Sequence, residues 1–408
     1  MYSPARIAVA VGLGGLLALP FLPLPTRLLR ACDPRAEEVA PGRYLELERF
    51  AGAASRVEVE EALRVVDPPG TLRPYLRFEG DLLEVRRERD DTTPAARVRL
   101  RPAATEPARS PAPSRVAIDP GHWGGAWSRN EQRQTARPGG KVVREGDLAW
   151  GTARLVEKAL ARSGVAVEVV RGPPPRAPFT VQADSTFDLP AETRLWLADN
   201  RPRATPWPSL LAMGRLWWAA RLVAGESPYE VYTHHELRRR AAAAEAFAAE
   251  VTLSLHYNFT RRQQDGILVF APGNFLPDEL RTASQRFFAL RHVLDGRFAE
   301  NLRLARAMAE AMMRHLRLPA MAGREESSEL DPWLPIDAAR GVYARNLALL
   351  RRAPGVSLLL EGPPVNEASE YARLQGEDVE VDGQRFPRRI QEYADAVREG
   401  LLGTKSAD

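Results

Sequence analysis

Beyond residue 114 the chain alternates between short apolar runs and longer segments in which apolar residues recur at helical spacing. The runs Val116–Ile118, Val165–Val170 and Val251–Leu255 are typical of buried strands, and Asp147–Ala161 gathers apolar side chains on one helical face. Strands that alternate with helices build parallel sheets, because each crossover needs a long connection. The pattern therefore predicts an α/β fold with a mostly parallel, twisted sheet flanked by helices.

The same alternation continues to the C-terminus. The remaining predicted elements are a helix over Leu237–Glu250, a strand over Gly266–Phe270, a helix over Asn301–Leu316, a strand over Val356–Leu360 and a helix over Arg389–Leu401. We therefore expect one large domain over residues 114–402.

Two stretches interrupt this array. Residues 172–236 are rich in proline and form a predicted insertion, in which Trp207, Trp217 and Trp218 either line a ligand groove or seal the insertion onto the core. Gly273–Arg297 is a shorter insertion, which we expect beside the ligand-binding edge of the sheet.

The N-terminal quarter of the chain has a different pattern. Residues 40–101 combine a helical segment, Ser55–Val66, with short alternating strands near Tyr75–Phe78 and Leu82–Val85, which predicts a small α+β module of unknown role. Residues 102–113 are rich in proline and alanine and predict a linker.

Residues 1–32 predict a signal peptide or membrane anchor. Arg6 precedes a mostly apolar run, Ile7–Leu24, whose two prolines favour a cleaved signal over a spanning helix. We therefore expect an exported protein that is periplasmic or associated with the cell envelope. Cys32 stands at a spacing similar to that of a bacterial lipoprotein signal, so it is either a lipidated residue that tethers the chain to the membrane or an incidental thiol.

Composition narrows the classes of partner. The 57 Lys and Arg residues exceed the 53 Asp and Glu residues by four charges, which is a mildly basic balance. No Cys/His finger, aromatic RNA-binding motif or one-sided basic stripe accompanies that charge, so we expect no nucleic-acid partner. The single cysteine excludes an intrachain disulfide.

Four ionisable residues occupy equivalent places in the array. His122 and His256 follow predicted strands, as Glu361 does, and Glu145 precedes a predicted helix. The carboxyl ends of parallel strands meet at one crevice, where ligands bind. We therefore expect these four side chains to lie close together.

Two imidazoles and one carboxylate are the protein ligands of a hydrolytic zinc site. His122, Glu145 and His256 supply this set for Zn2+, and Glu361 remains as the general base. Singly, each residue is weak evidence, because a histidine at a strand end is more often structural and a glutamate that opens a helix often only complements the helix N-terminus. The adjacent pair His234 and His235 is a rival metal site, although neighbouring side chains diverge on a helix or strand.

These residues lie in motifs that resemble the zinc-dependent N-acetylmuramoyl-L-alanine amidases. The resemblance covers residues 114–402 and is carried by Ile118–His122, Arg144–Leu148, Ser254–Asn258, Gly266–Val269 and Leu358–Glu361 followed by Asn366. It implies a phosphorylase-like fold, zinc at His122, Glu145 and His256, and a catalytic Glu361. It also implies a peptidoglycan substrate, cut between the lactyl group of muramic acid and L-alanine, and leaves room for an activator protein.

The chain departs from the family pattern at Trp123, where a small residue is usual, and at Gly362–Val365, a turn one residue shorter than usual. Two alternatives therefore stay open: an inert peptidoglycan-binding scaffold and another exported zinc amidohydrolase. Asn258, Arg240 and Asn366 are the candidate substrate-binding residues. For the arginines near Arg240, and for Arg171, a solvated basic face is the competing interpretation.

Overall fold

The computed structural model describes residues 41–102, 112–125, 128, 131–172, 228–260, 265–321 and 333–403, without the side chains of 41 and 228–235. The predicted signal segment with Cys32, nearly all of the linker, and most of the 172–236 insertion with its tryptophans lie outside these ranges. The side chains of His234 and His235 lie outside them too, so the rival metal pair stays a prediction.

The strands, numbered in chain order, are β1 Leu76–Glu79, β2 Leu82–Val85, β3 Ala96–Arg99, β4 Arg115–Pro120, β5 Gln134–Thr135, β6 Val143–Arg144, β7 Ala166–Val169, β8 Val251–Tyr257, β9 Leu268–Pro272, β10 Leu334–Asp337, β11 Val342–Arg345, β12 Val356–Gly362, β13 Val379–Val381 and β14 Gln384–Phe386. The α-helices are α1 Arg56–Val66, α2 Glu145–Arg162, α3 Pro228–Ala246, α4 Ala283–Leu294, α5 Phe298–Leu316, α6 Ala348–Arg352, α7 Ala368–Arg373 and α8 Arg389–Leu402. Short 3-10 helices cover Pro41–Phe50, Arg73–Tyr75, Glu279–Arg281 and Ala338–Arg340.

A seven-stranded mixed sheet forms the main body, in the order β10-β11-β9-β12-β8-β4-β7. Strands β7, β4, β8 and β12 are mutually parallel, and β9 runs antiparallel to β12 while pairing in parallel with β11. The prediction of a mostly parallel sheet flanked by helices is confirmed. Strand β9 runs in the opposite direction because the segment between β8 and β9 is too short to return to the end of the sheet at which β8 begins.

Helices cover both faces of this sheet. The apolar faces of α2, α5 and α8 pack with the inner residues of β4, β8 and β12 into one buried core. On the opposite face, α3 contributes Ala244 beside Ala117, and α6 contributes Leu350 beside Phe270 and Leu359. The central strands are therefore buried on both sides, which explains their continuous apolar runs.

The N-terminal residues fold as α1 beside the antiparallel sheet β1-β2-β3. Helix α1 begins with a capping box, in which the Ser55 hydroxyl accepts from the Glu58 amide and the Glu58 carboxylate accepts from the Ser55 amide. The apolar faces of α1 and the sheet share one buried core with α4.

The shorter insertion, Gly273–Arg297, does not lie where the sequence led us to expect. Phe275, Phe287 and Leu290 are fully buried in the core of the N-terminal unit instead of lining the edge of the main sheet. Arg286 stabilises the packing of the insertion on the N-terminal unit, because its guanidinium donates to the Arg87 carbonyl and the Glu88 carboxylate. The insertion thus joins the N-terminal unit to the main body.

Two further observations complete the fold. Among the residues that the structure describes, no helix is long and apolar enough to cross a membrane. The predicted helix Leu237–Glu250 corresponds to α3, which begins nine residues earlier, at Pro228, and ends at Ala246.

We expect His292 on α4 to make the fold sensitive to acid. Burial lowers the pKa of His292 to about 3, below the value of about 6.5 in an unfolded chain, so the unfolded state binds more protons as the pH falls below 6.5. Between pH 7 and pH 5 this residue alone should cost about 2 kcal/mol of unfolding free energy. His292→Gln, which keeps a donor for the Arg351 carbonyl, should remove that part of the pH dependence.

Urea unfolding of both proteins at pH 7 and pH 5 measures the difference. The half-buried His315, which pairs with Glu399, supplies the control variant His315→Gln. An equal loss of stability in the wild type and in His292→Gln would contradict the prediction.

Candidate metal centre and active site

The carboxyl edge of the main sheet brings the four predicted residues together. His122 lies in the loop after β4, Glu145 is the first residue of α2, and His256 and Glu361 are register partners near the ends of β8 and β12. Because these strands are parallel, register alone places the side chains of His256 and Glu361 next to each other.

Glycine allows the His122 loop to approach the start of α2. A Cβ atom on Gly146 would lie 2.3 Å from the Gly124 amide nitrogen, so a larger residue would push the loop away. The Asp147 carboxylate fixes the same contact by accepting from the Gly125 amide at 2.6 Å. His122 itself has a φ of 55°, in the left-handed region that few non-glycine residues adopt.

His122, Glu145 and His256 form a cluster that can bind a metal. One nitrogen or oxygen atom from each lies within 4.8 Å of the others. Glu145 Oε1 is 3.2 Å from His122 Nε2 and 3.0 Å from His256 Nδ1, and it also accepts from the Tyr257 amide at 3.1 Å. Two imidazoles and a carboxylate at this spacing match the donor set of a divalent transition metal.

The carboxylates and imidazoles of the cluster stabilise each other's charged forms. Burial lowers the pKa of His122, but the carboxylates of Glu145 and Glu131 outweigh that effect and raise it to about 10. Burial likewise raises the pKa of Glu145, and the two imidazoles more than reverse this, so that the pKa lies below its ordinary value. Metal binding at this cluster would compete with protonation of His122.

The cluster opens into a cavity of about 350 Å³. Its polar side carries His122, Glu145, His256 and Glu361, and the Asn258 and Arg133 side chains flank it. Its remaining wall is mainly apolar and contains Tyr257, Phe259, Leu268, Phe270, Trp333, Arg345, Leu347 and Leu359. Such a site suits a ligand that presents polar groups to the polar side and apolar groups to the wall.

Glu361 faces this cavity with a perturbed carboxyl group. Burial raises the pKa of Glu361 above its ordinary value, and the nearby Glu145 carboxylate adds to the increase while the imidazole of His256 opposes it. A carboxylate with a raised pKa accepts and returns protons more readily near neutral pH. This property suits a general base.

The turn after Glu361 is firmly fixed despite its unusual sequence. The Val365 amide donates to the Asn258 carbonyl at 2.8 Å, and the Tyr393 hydroxyl donates to the Leu360 carbonyl at 2.9 Å. A Cβ atom on Gly362 would lie 2.6 Å from the Tyr393 ring, so glycine is required there. The shortened turn therefore leaves Glu361 in register with His256.

The other predicted substrate contacts fall in different places. Asn258 lines the cavity, as a substrate contact requires. Asn366 is buried, and its side-chain amide accepts from the Thr260 amide at 3.0 Å and donates to the Thr260 carbonyl. Asn366 thus joins the loops after β8 and β12, and its placement does not support contact with substrate.

Arg240 and Arg171 are buried beneath the His122 loop. The Arg240 guanidinium pairs with Asp119 at 3.0 Å and donates to the carbonyls of Pro120 and His122. Arg171 donates to the carbonyls of Pro120, Trp123 and Gly146. These placements support neither a substrate contact nor a solvated basic face, because both guanidinium groups are used to hold the loop.

Sequence reasoning missed three charged residues at this site. Glu131 contacts the His122 ring. Arg133 Nε lies 3.3 Å from His122 Nε2 and 3.6 Å from a Glu145 oxygen. Arg345 lines the cavity, where its guanidinium packs against the rings of Phe270 and Trp333. Arg345 ends strand β11, which runs antiparallel to β12 through β9, so the rule that parallel strands end at one edge gives no signal for this residue. Glu131 and Arg133 lie in an irregular loop, where no periodicity points to them.

In comparisons with known proteins, this chain is similar to several solved structures. No family model and no curated protein matches the chain. The amidase Ami1 from Mycobacterium abscessus is 16% identical, with a TM-score of 0.36 over 71% of this chain and 96% of that one. AmiC2 of Nostoc punctiforme is 16% identical, with a TM-score of 0.36 over 71% and 94%. The CwlD amidase from Clostridioides difficile, solved in complex with the GerS lipoprotein, is 13% identical, with a TM-score of 0.37 over 71% and 96%. Likenesses of this extent establish no family, so function has to be inferred from the site.

We expect Arg240→Ala to destabilise the protein by about 3–5 kcal/mol, because it leaves Asp119 as an uncompensated buried charge. The exposed neighbour supplies the matched control, and Arg239→Ala should change stability by less than about 0.5 kcal/mol. Urea unfolding measures both. A stable Arg240→Ala protein with a raised KM would instead restore Arg240 as a substrate contact.

Proposed function

We propose that this protein is a zinc-dependent N-acetylmuramoyl-L-alanine amidase that cleaves the amide between the lactyl group of muramic acid and the L-alanine of the peptidoglycan stem peptide. The observation that carries the proposal is the juxtaposition of the His122–Glu145–His256 cluster with the half-buried carboxyl group of Glu361 in one cavity. The motif resemblance across residues 114–402 supports the choice of substrate.

His122, Glu145 and His256 would hold the zinc ion, and their donor atoms fit it. Zinc supplies Lewis-acid chemistry when bound, because it polarises a carbonyl oxygen and makes water more acidic. Tyr257 contributes by fixing the Glu145 carboxylate through its amide, so that the ligand oxygen keeps one position.

Glu361 acts as the general base and then as the general acid. Its carboxylate takes a proton from the attacking water and returns it to the leaving amine of L-alanine, which regenerates the carboxylate. The register with His256 keeps this carboxylate beside the cluster, and Phe270 and Trp333 form part of the apolar wall of the same cavity.

The proposed location follows from the substrate. Peptidoglycan lies outside the cytoplasm, so the protein has to be exported, and residues 1–32 would direct it to the periplasm or cell envelope. A lipid on Cys32 would add a membrane tether. In this proposal, residues 114–402 form the catalytic domain and residues 40–101 an accessory unit.

A dye-release assay on purified sacculi tests the proposal. We expect the wild-type protein with zinc to release stem peptides whose new N-terminus is L-alanine, and we expect a chelator to stop the release reversibly. Glu361→Gln should lower kcat by about 10²–10⁴-fold while zinc still binds, because only proton transfer is removed. Glu380→Gln, a change of the same kind at an exposed position, should leave activity unchanged.

The alternatives give different results. A zinc-loaded wild type that binds sacculi as well as Glu361→Gln but releases nothing, even with cell-envelope extract added as a source of activator, would favour the inert scaffold. Release of products that lack an N-terminal L-alanine would favour another zinc amidohydrolase.

A further inference from the structure

Glu131 contacts the nitrogen of His122 that faces away from the metal-binding cluster. Glu131 Oε1 lies 3.2 Å from His122 Nδ1, and His122 Nε2 lies 3.2 Å from Glu145 Oε1 on the other side of the ring. The two nitrogens of His122 therefore have different carboxylate neighbours, and Nε2 is the one directed toward Glu145 and His256.

The position of the Glu131 carboxylate is itself fixed. Its second oxygen accepts from the Trp123 amide at 3.1 Å, so the carboxylate spans the His122 ring and the backbone that follows it. The side chain of Glu131 is only 2% exposed. This double contact restrains both the ring of His122 and a backbone that has a φ of 55°.

A neutral imidazole carries its proton on one nitrogen and can bind a metal only through the other. A carboxylate at Nδ1 holds the proton there, which leaves the Nε2 lone pair for a metal. Carboxylates in this arrangement orient histidine ligands and increase their basicity.

We propose that Glu131 is a positioning residue that accepts the Nδ1 proton of His122 in a hydrogen bond and so presents Nε2 to the metal. The proposal rests on the proposed zinc function. It assigns a role to Trp123 as well, since the backbone amide of this residue, and not its side chain, anchors the carboxylate.

Zinc affinity tests the proposal without depending on activity. The wild type, Glu131→Ala and Glu131→Gln are titrated against a chromogenic zinc chelator, after thermal melts have shown that each metal-free variant is folded. We expect Glu131→Ala to bind zinc about 10–100-fold more weakly, and Glu131→Gln to lose less, because its amide oxygen still accepts from Nδ1.

A matched control comes from the same buried group of charges. Glu236 pairs with Arg240 at 3.3 Å, is 7% exposed and, within the described part of the chain, makes no hydrogen bond to His122. Glu236→Gln should therefore lower stability without lowering zinc affinity. If the role of Glu131 were merely structural, Glu131→Ala and Glu236→Gln would behave alike.

Nuclear magnetic resonance of the histidine side chains gives a second measurement that needs no variant to fold. In the zinc-loaded wild type, the 15N spectrum should show His122 protonated at Nδ1 and metal-bound at Nε2. Zinc affinity within twofold of wild type in Glu131→Ala, or a His122 that binds through Nδ1, would overturn this proposal alone. A wild type that binds no zinc would overturn the proposed function together with it.

Discussion

The carboxylate of Glu145 is the contact on which the site depends. One of its oxygens lies within 3.2 Å of a nitrogen from each histidine and accepts the Tyr257 amide, so helix α2, strand β8 and the His122 loop all meet at a single atom. The position of Glu145 at the first turn of α2 favours its negative charge, because the positive end of the helix dipole lies there. Without this carboxylate the two imidazoles would be left without a shared partner in a buried site.

The buried charged groups around Glu145 form two successive sets of oppositely charged pairs. The imidazoles face Glu145 and Glu131, and beneath them Asp119 faces Arg240 and the hydroxyl of Ser254, which donates at 2.5 Å. Each buried charge has a partner of opposite sign or a set of carbonyls, as buried ionic groups require. The histidines are therefore supported from below by groups that never reach the cavity.

The strand ends could be predicted from the sequence because apolar runs mark buried strands, and parallel strands place their following residues at one edge. That reasoning was sufficient to bring His122, His256 and Glu361 together. It failed where no periodicity exists: Glu131 lies in an irregular loop, and the basic run around Arg240 does not reveal which guanidinium turns inward. The reversal of β9 also escaped prediction, because an apolar run carries no direction.

The packing of α4 against the N-terminal unit bears on how the chain folds. Phe275, Phe287 and Leu290 lie in the middle of the main body's sequence. They are buried by residues of the N-terminal unit, which precede them in the chain by about two hundred positions. A protein shortened to begin at residue 114 would carry these side chains bare on its surface and would be prone to aggregate. The N-terminal unit therefore serves the rest of the molecule as a built-in partner for an apolar surface, whatever else it binds.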